Sequence, residues 1–185
     1  ANAIDLLTSG TITATISEGD IDTLKTLTNA NSLTNGHAYT ITVTDTTVAA
    51  ADLNTINSRT SVAVTASAIT TLTGAIAAVD TALDAGVAGT ITGLGNEAVL
   101  VNSGTATVDQ ANAIDLLTTG KITATISDGD IDTLKTLTNA NSLTNGHAYT
   151  VNITDSGSVS ASDLTTIGQI TSGTISASSV STIIG

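Results

Sequence analysis

The 185-residue chain has no cysteine, proline, methionine, phenylalanine or tryptophan, and two tyrosines. Without cysteine there is neither a disulfide scaffold nor a thiolate metal site. A compact globule of this length normally uses aromatic residues as large core fillers. Their scarcity points to a thin core of Ile, Val, Leu and Ala in repeated layers. Basic residues are scarce too: four Lys and Arg stand against 16 Asp and Glu, a formal net charge of −12. That balance opposes binding to nucleic acid and to anionic membrane surfaces, where Lys and Arg do the neutralising. No apolar run approaches the roughly 18–20 residues that span a bilayer, so no transmembrane segment is expected. No signal peptide is visible, and the chain starts at Ala1 inside a repeat, which points to a processed chain or a segment of a longer one.

Threonine and repetition are what the chain has in plenty. There are 39 Thr, and 41% of the residues are hydrophobic, too many for a disordered chain. Residues 1–40 recur as residues 111–150 with three differences: Ser9/Thr119, Thr11/Lys121 and Glu18/Asp128. A period this clean marks an array, read by what it stacks.

Smaller units lie inside the long period. Alternating apolar and polar residues predict strands near 11–17, 38–45, 61–67, 97–103, 121–127, 148–155 and 173–177. Ile12, Ala14 and Ile16 share one face of the first; Thr11, Thr13 and Thr15 share the other. Each strand is followed by a polar turn and a short segment of helical spacing. Asp20 can cap residues 21–27, with Ile21, Leu24 and Leu27 on one face. The longest helical pattern covers 69–84, with Ile69, Leu72, Ile76, Val79 and Leu83 in a stripe and Gly86 as its stop. The expected fold is a repeat solenoid: a right-handed parallel β-solenoid whose coils are closed by short helices or turns, leucine-rich-repeat-like. It would run continuously over 1–185, with a four-coil block 1–110 repeated incompletely as 111–185.

The phrases DTTVAAADLNTI, SVAVTASAITTLTG and ITGLGNEAVLV resemble repeat arrays of very large secreted or cell-surface proteins of marine cyanobacteria. The resemblance covers essentially the whole chain. It implies an extracellular or cell-surface location and a structural or adhesive role, and it identifies no ligand. Calcium-binding haemolysin-type repeats sometimes neighbour such arrays, but their GGxGxD pattern is missing here. A weaker likeness is to leucine-rich repeats, whose fixed Asn most units lack.

Two clusters merit attention as sites. Glu18, Asp20 and Asp22, with their twins Asp128, Asp130 and Asp132, place oxygen ligands at alternate positions, as Ca²⁺ sites do. The competing reading is a turn with an N-capping Asp and further acid favoured by the helix dipole. The outward Thr13, Thr15, Thr42, Thr44, Thr123 and Thr125 form a candidate surface ladder of the kind ice-binding faces use, interrupted by Ala63, Leu100, Lys121 and Asn152. His37 and His147 sit in Asn-Gly-His turns, too far apart for one metal site. No catalytic constellation is recognisable, so no enzyme is expected. The sequence therefore predicts a structural repeat protein of an extracellular filament, surface layer or stalk, partnered by its own copies stacked head to tail. The alternative is a Ca²⁺-dependent adhesin or an ice-binding module using the Thr face.

Overall fold

A computed structural model describes residues 1–30, 32–34 and 36–185. In chain order they form α1 (Asn2–Asp5), β1 (Thr13–Thr15), α2 (Ile21–Leu24), β2 (Ala38–Thr40), β3 (Thr47–Ala49), α3 (Ala50–Asn57), β4 (Val64–Thr65), β5 (Thr71–Gly74), α4 (Ile76–Val87) and β6 (Ile91–Thr92). There follow β7 (Ala98–Val101), α5 (Val108–Asp115), β8 (Ile122–Thr125), α6 (Ile131–Leu134), β9 (Ala148–Asn152), β10 (Gly157–Ser160), α7 (Ala161–Ile170), β11 (Ile175–Ser176) and β12 (Val180–Ile184). The strands are short and rich in Thr, Val and Ile, which suit a pleated surface. The N-cap side chain satisfies a free N–H at α2, α5, α6 and α7, whereas at α1, α3 and α4 it does not. Asp20 accepts from Thr23 N at α2, and Thr107 and Gln110 form a reciprocal capping box at α5. No helix among the described residues is long and apolar enough to cross a membrane.

The expected solenoid is corrected by the pairing. The described residues make an α/β structure with one six-stranded parallel sheet, in the order β11-β9-β8-β7-β5-β3, and three two-stranded parallel sheets, β1-β2, β4-β6 and β10-β12. A uniform ladder through the seven predicted strands would link β4 to β7. Instead β7 lies between β5 and β8, with Val99 opposite both Leu72 and Ile122, while β4 pairs with β6. The elements closing each unit are also unequal, from four residues in α2 to twelve in α4.

Residues 69–84 are corrected as well. They divide into β5 and the start of α4, because Gly74 takes φ +129°, outside the helical region and open to glycine at little cost. Leu72 then points inward from a strand rather than from a helical stripe. Gly86 lies inside α4 instead of ending it.

One row of inward residues crosses the large sheet. Val48, Leu72, Val99 and Ile122 stand opposite one another in successive strands, and all four are buried. They belong to one apolar core that also takes Leu53 and Ile56 from α3, Val79 and Leu83 from α4, and Ala111 and Ile114 from α5.

The two near-identical segments differ sharply in burial. Ile114 is fully buried, while its twin Ile4 is 56% exposed. Ile122, Ala124 and Ile126 are buried; Ile12, Ala14 and Ile16 are half-exposed. The difference is neighbourhood. Among the described residues β8 has β7 on one side and β9 on the other, whereas β1 pairs with β2 alone.

Candidate functional site

The most organised polar feature is a buried cluster that occurs twice. Asp115, the last residue of α5, has no solvent exposure, and neither has His147, which directly precedes β9. Asp115 Oδ1 lies 2.8 Å from His147 Nε2. Its Oδ2 accepts from the Thr138 hydroxyl at 2.6 Å and from the Ala140 N–H at 2.7 Å. His147 Nδ1 accepts from the Ile122 N–H at 3.1 Å. An imidazole nitrogen that accepts from a backbone N–H carries no proton, so Nε2 is the protonated one and donates to Asp115.

The first copy repeats the arrangement atom for atom. Asp5 Oδ1 lies 2.8 Å from His37 Nε2, while Asp5 Oδ2 accepts from the Thr28 hydroxyl at 2.5 Å and the Ala30 N–H at 2.8 Å. His37 Nδ1 accepts from the Ile12 N–H at 3.1 Å. Hydrogen bonds from Thr28, then from Ala30, hold the Asp5 carboxyl below its usual range, with His37 adding to them against the opposing effect of burial.

A tyrosine packs beside each imidazole, with ring centroids 5.0 Å apart for His37 and Tyr39 and 5.1 Å for His147 and Tyr149. Both phenols are pushed up, first by burial and then by the charge of Asp5 or Asp115. Each tyrosine backbone is clasped by the next unit. Thr60 Oγ1 donates to Tyr39 O and accepts from Tyr39 N, and Thr171 does the same for Tyr149. Thr118 donates likewise to the carbonyl of Glu97, which puts Glu97 in the tyrosine position of its own unit. Glu97 is fully buried; Oε2 accepts from Gly95 N at 2.8 Å. Oε1 has no hydrogen-bond partner among the described residues.

Chemically, the cluster is a brace. Both nitrogens of each imidazole are already engaged, one by carboxylate and one by backbone, so neither ring keeps a lone pair for a substrate proton. The bonds join residues 23 to 32 positions apart, and thus tie one unit to the next.

The predicted carboxylates go to separate partners. Asp20 and Asp130 accept from Thr23 N and Thr133 N, capping α2 and α6. Asp22 and Asp132 each hold a lysine at 2.6 Å, Lys25 and Lys135. These lysines reach on to Asp52 and Asp163 of the following unit, at 3.1 and 3.6 Å. Asp128 Oδ2 accepts from Val108 N, the first residue of α5, at 2.6 Å. Glu18 accepts from the Ser17 hydroxyl at 3.3 Å. Among the described residues no group of three or more His, Asp or Glu side chains converges on a metal position.

The predicted threonines are exposed, but the register sets their rows differently. Thr15 stands opposite Thr40, Thr125 opposite Thr150, and Thr42 opposite Thr65. Thr13 faces Ala38, and Thr123 faces both Ala148 and Leu100. Thr44 N donates to Gly19 O. The first two rows are two threonines wide where these pairings run, and the third extends to Thr92, which stands opposite Thr65.

Sequence reasoning missed Asp5 and Asp115, although each is a lone acid flanked by Ile and Leu, a setting that signals a buried, satisfied charge. It also missed Asp45 and Asp155, which accept from Ile21 N and Ile131 N, both at 2.8 Å, and so cap helices of the preceding unit. Searches of protein-family models, curated proteins and solved structures found no match for the chain.

Proposed function

We propose that this chain is a non-enzymatic structural repeat protein of an extracellular assembly, a filament, surface layer or stalk, which grows by association of its ends. The observation that supports this reading is internal repetition: residues 1–40 recur almost unchanged as residues 111–150, and the buried Asp–His brace recurs with them. The buried Asp–His braces fit the same role, since they stiffen the joints between units and leave no reactive group in solvent.

Concentration-dependent sedimentation, followed by electron microscopy of the heaviest fraction, tests the reading. Linear assemblies with a repeated axial spacing support it; a monomer at every concentration refutes it. Localisation of the native protein by immunolabelling tests the extracellular part. A second reading, ice binding, draws on the exposed pairs Thr15–Thr40 and Thr125–Thr150. Absence of thermal hysteresis in the purified protein removes it.

A further inference from the structure

We infer that Asp80 is a proton-operated stitch between α4 and α5. Ionised, it leaves this seam open; protonated, its carboxyl O–H donates to the Gln110 carbonyl of α5. The device needs no second copy and stands apart from the proposed assembly.

The other seams between successive helices show the pattern from which Asp80 departs. In four of them the residue directly after a buried inward side chain reaches across to the next unit. Lys25 follows Leu24, and its ammonium meets Asp52 at 3.1 Å. Asn54 follows Leu53 and donates to the Ala78 carbonyl at 2.9 Å. Asn112 follows Ala111 and donates to the Thr136 carbonyl at 2.9 Å. Lys135 follows Leu134 and lies 3.6 Å from Asp163. Asn2, the twin of Asn112, donates to the Thr26 carbonyl at 2.9 Å. All five residues are donors. In α4 the same place, directly after the fully buried Val79, belongs to Asp80. An ionised carboxylate has no proton to donate. Among the described residues no hydrogen bond or ion pair joins Asp80 to α5.

The seam is open where the stitch is missing. A groove of about 230 Å³ lies there, lined by Ile76, Ala77 and Asp80 of α4 and by Asp109, Gln110 and Ala113 of α5. Gln110 is the third residue of α5, as Ala78 is the third of α4, and the Ala78 carbonyl is the acceptor that Asn54 uses. The Gln110 side chain is occupied at its own cap, where Oε1 accepts from Thr107 N at 3.0 Å. Its backbone carbonyl keeps a second lone pair beyond the helical bond.

No cation offsets Asp80. The ionisable groups on the helices packed against it are Asp84 on α4 itself, Asp109 and Asp115 on α5, and Asp52 on α3. Asp115 is engaged by His147 and Asp52 by Lys25. Burial, then the charge of Asp84, raises the Asp80 carboxyl above its usual range, so mild acid reaches the donating form. A raised carboxyl stabilises in acid and loses that contribution as pH rises through the raised value. The seam therefore tightens in acid and loosens toward neutrality.

Hydrogen exchange of the whole chain at pH about 4 and pH about 7, corrected for the intrinsic pH dependence of exchange, tests the stitch. α6, joined to α7 by Lys135 and Asp163, is the internal reference. Protection of α4 and α5 relative to α6 is expected to rise about fivefold in acid, the factor that one net hydrogen bond supplies. Asp80→Asn donates at every pH and should hold the acid level at both. Asp80→Ala removes the charge without supplying a donor, and should fall short of Asp80→Asn by about the same factor. Equal protection in the two variants overturns the stitch and leaves relief of burial and repulsion as the whole effect. A gain from Asp84→Asn as large as that from Asp80→Asn overturns it in the same way. A wild-type ratio that does not change with pH overturns the proton dependence.

Discussion

Replacing Asp115 with alanine is the most demanding test of the buried brace. The carboxylate accepts three hydrogen bonds, from His147 Nε2, the Thr138 hydroxyl and the Ala140 N–H. Alanine removes both acceptor oxygens. The His147 Nε2–H is left fully buried, while Thr138 and Ala140 are exposed residues and the Thr138 hydroxyl also reaches Asn112 Oδ1 at 3.2 Å. Each stranded buried donor costs roughly 1–3 kcal/mol, and one stranded imidazole N–H with two partly served donors comes to about 3 kcal/mol. Breaking a buried pair by removing one partner typically costs about 3–5 kcal/mol. Both routes place Asp115→Ala at roughly 3–5 kcal/mol, a large share of the ~5–15 kcal/mol that holds a typical domain together. Asp115→Asn keeps the volume and one acceptor oxygen but aims an NH₂ at a donor, so it should lie between wild type and alanine. Urea unfolding followed by far-UV circular dichroism measures the difference, with the slope checked for a change in cooperativity. A loss below about 1 kcal/mol for Asp115→Ala would mean that the brace is incidental to stability, and the reasoning would fail.

Other expectations follow from the same geometry. Ile122→Ala should cost about 2–5 kcal/mol and Ile12→Ala clearly less, because the same residue is buried in one copy and half-exposed in the other; paired urea titrations compare them. Gly120→Ala should destabilise the fold by roughly 1–3 kcal/mol, since a Cβ there would fall on the Glu97 carbonyl; a drop in melting temperature reads it. The folded Asp5 carboxyl is held below its unfolded value, so its contribution is present above the ordinary carboxylate range and lost as pH falls through the lowered value. Hydrogen exchange at the Ala30 amide, which donates to Asp5, should lose protection in acid on that account. Asp80 has the opposite sign: burial, then Asp84, raises it, so its contribution is present in acid and lost as pH rises through the raised value. Asp80→Asn should therefore raise the melting temperature at neutral pH and change it little in acid.

Several strands are legible in the sequence, the sheets that join them are not, and the failures have local causes. Alternation locates β1, β2, β8 and β9, because one face of each is Ile, Val, Ala or Tyr and the other largely Thr. The same alternation finds β7 but not its partner. Val99 and Val101 fit next to β5 as well as next to β4, and only the three-dimensional path decides. Residues 71–74 escape because Leu72 also completes a helical stripe with Ile69 and Ile76; the positive φ of Gly74 breaks that stripe, and one glycine letter does not announce its φ. The capping role of Asp20 and Asp130 is visible from spacing, as the alternative to calcium. The braces are not, since Asp5 and His37 are 32 residues apart and meet only through the stacking of units.

The direction of these ties has a mechanical meaning. Hydrogen bonds between parallel strands lie across each sheet, along the line on which its strands are ordered. A pull along that line loads them in series, so a sheet would peel strand by strand, at low force, instead of shearing as one block. Among the described residues the Asp–His braces lie across two of these seams, away from water. A molecule stretched end to end would thus have two hard joints among softer ones, set 110 residues apart by the sequence repeat.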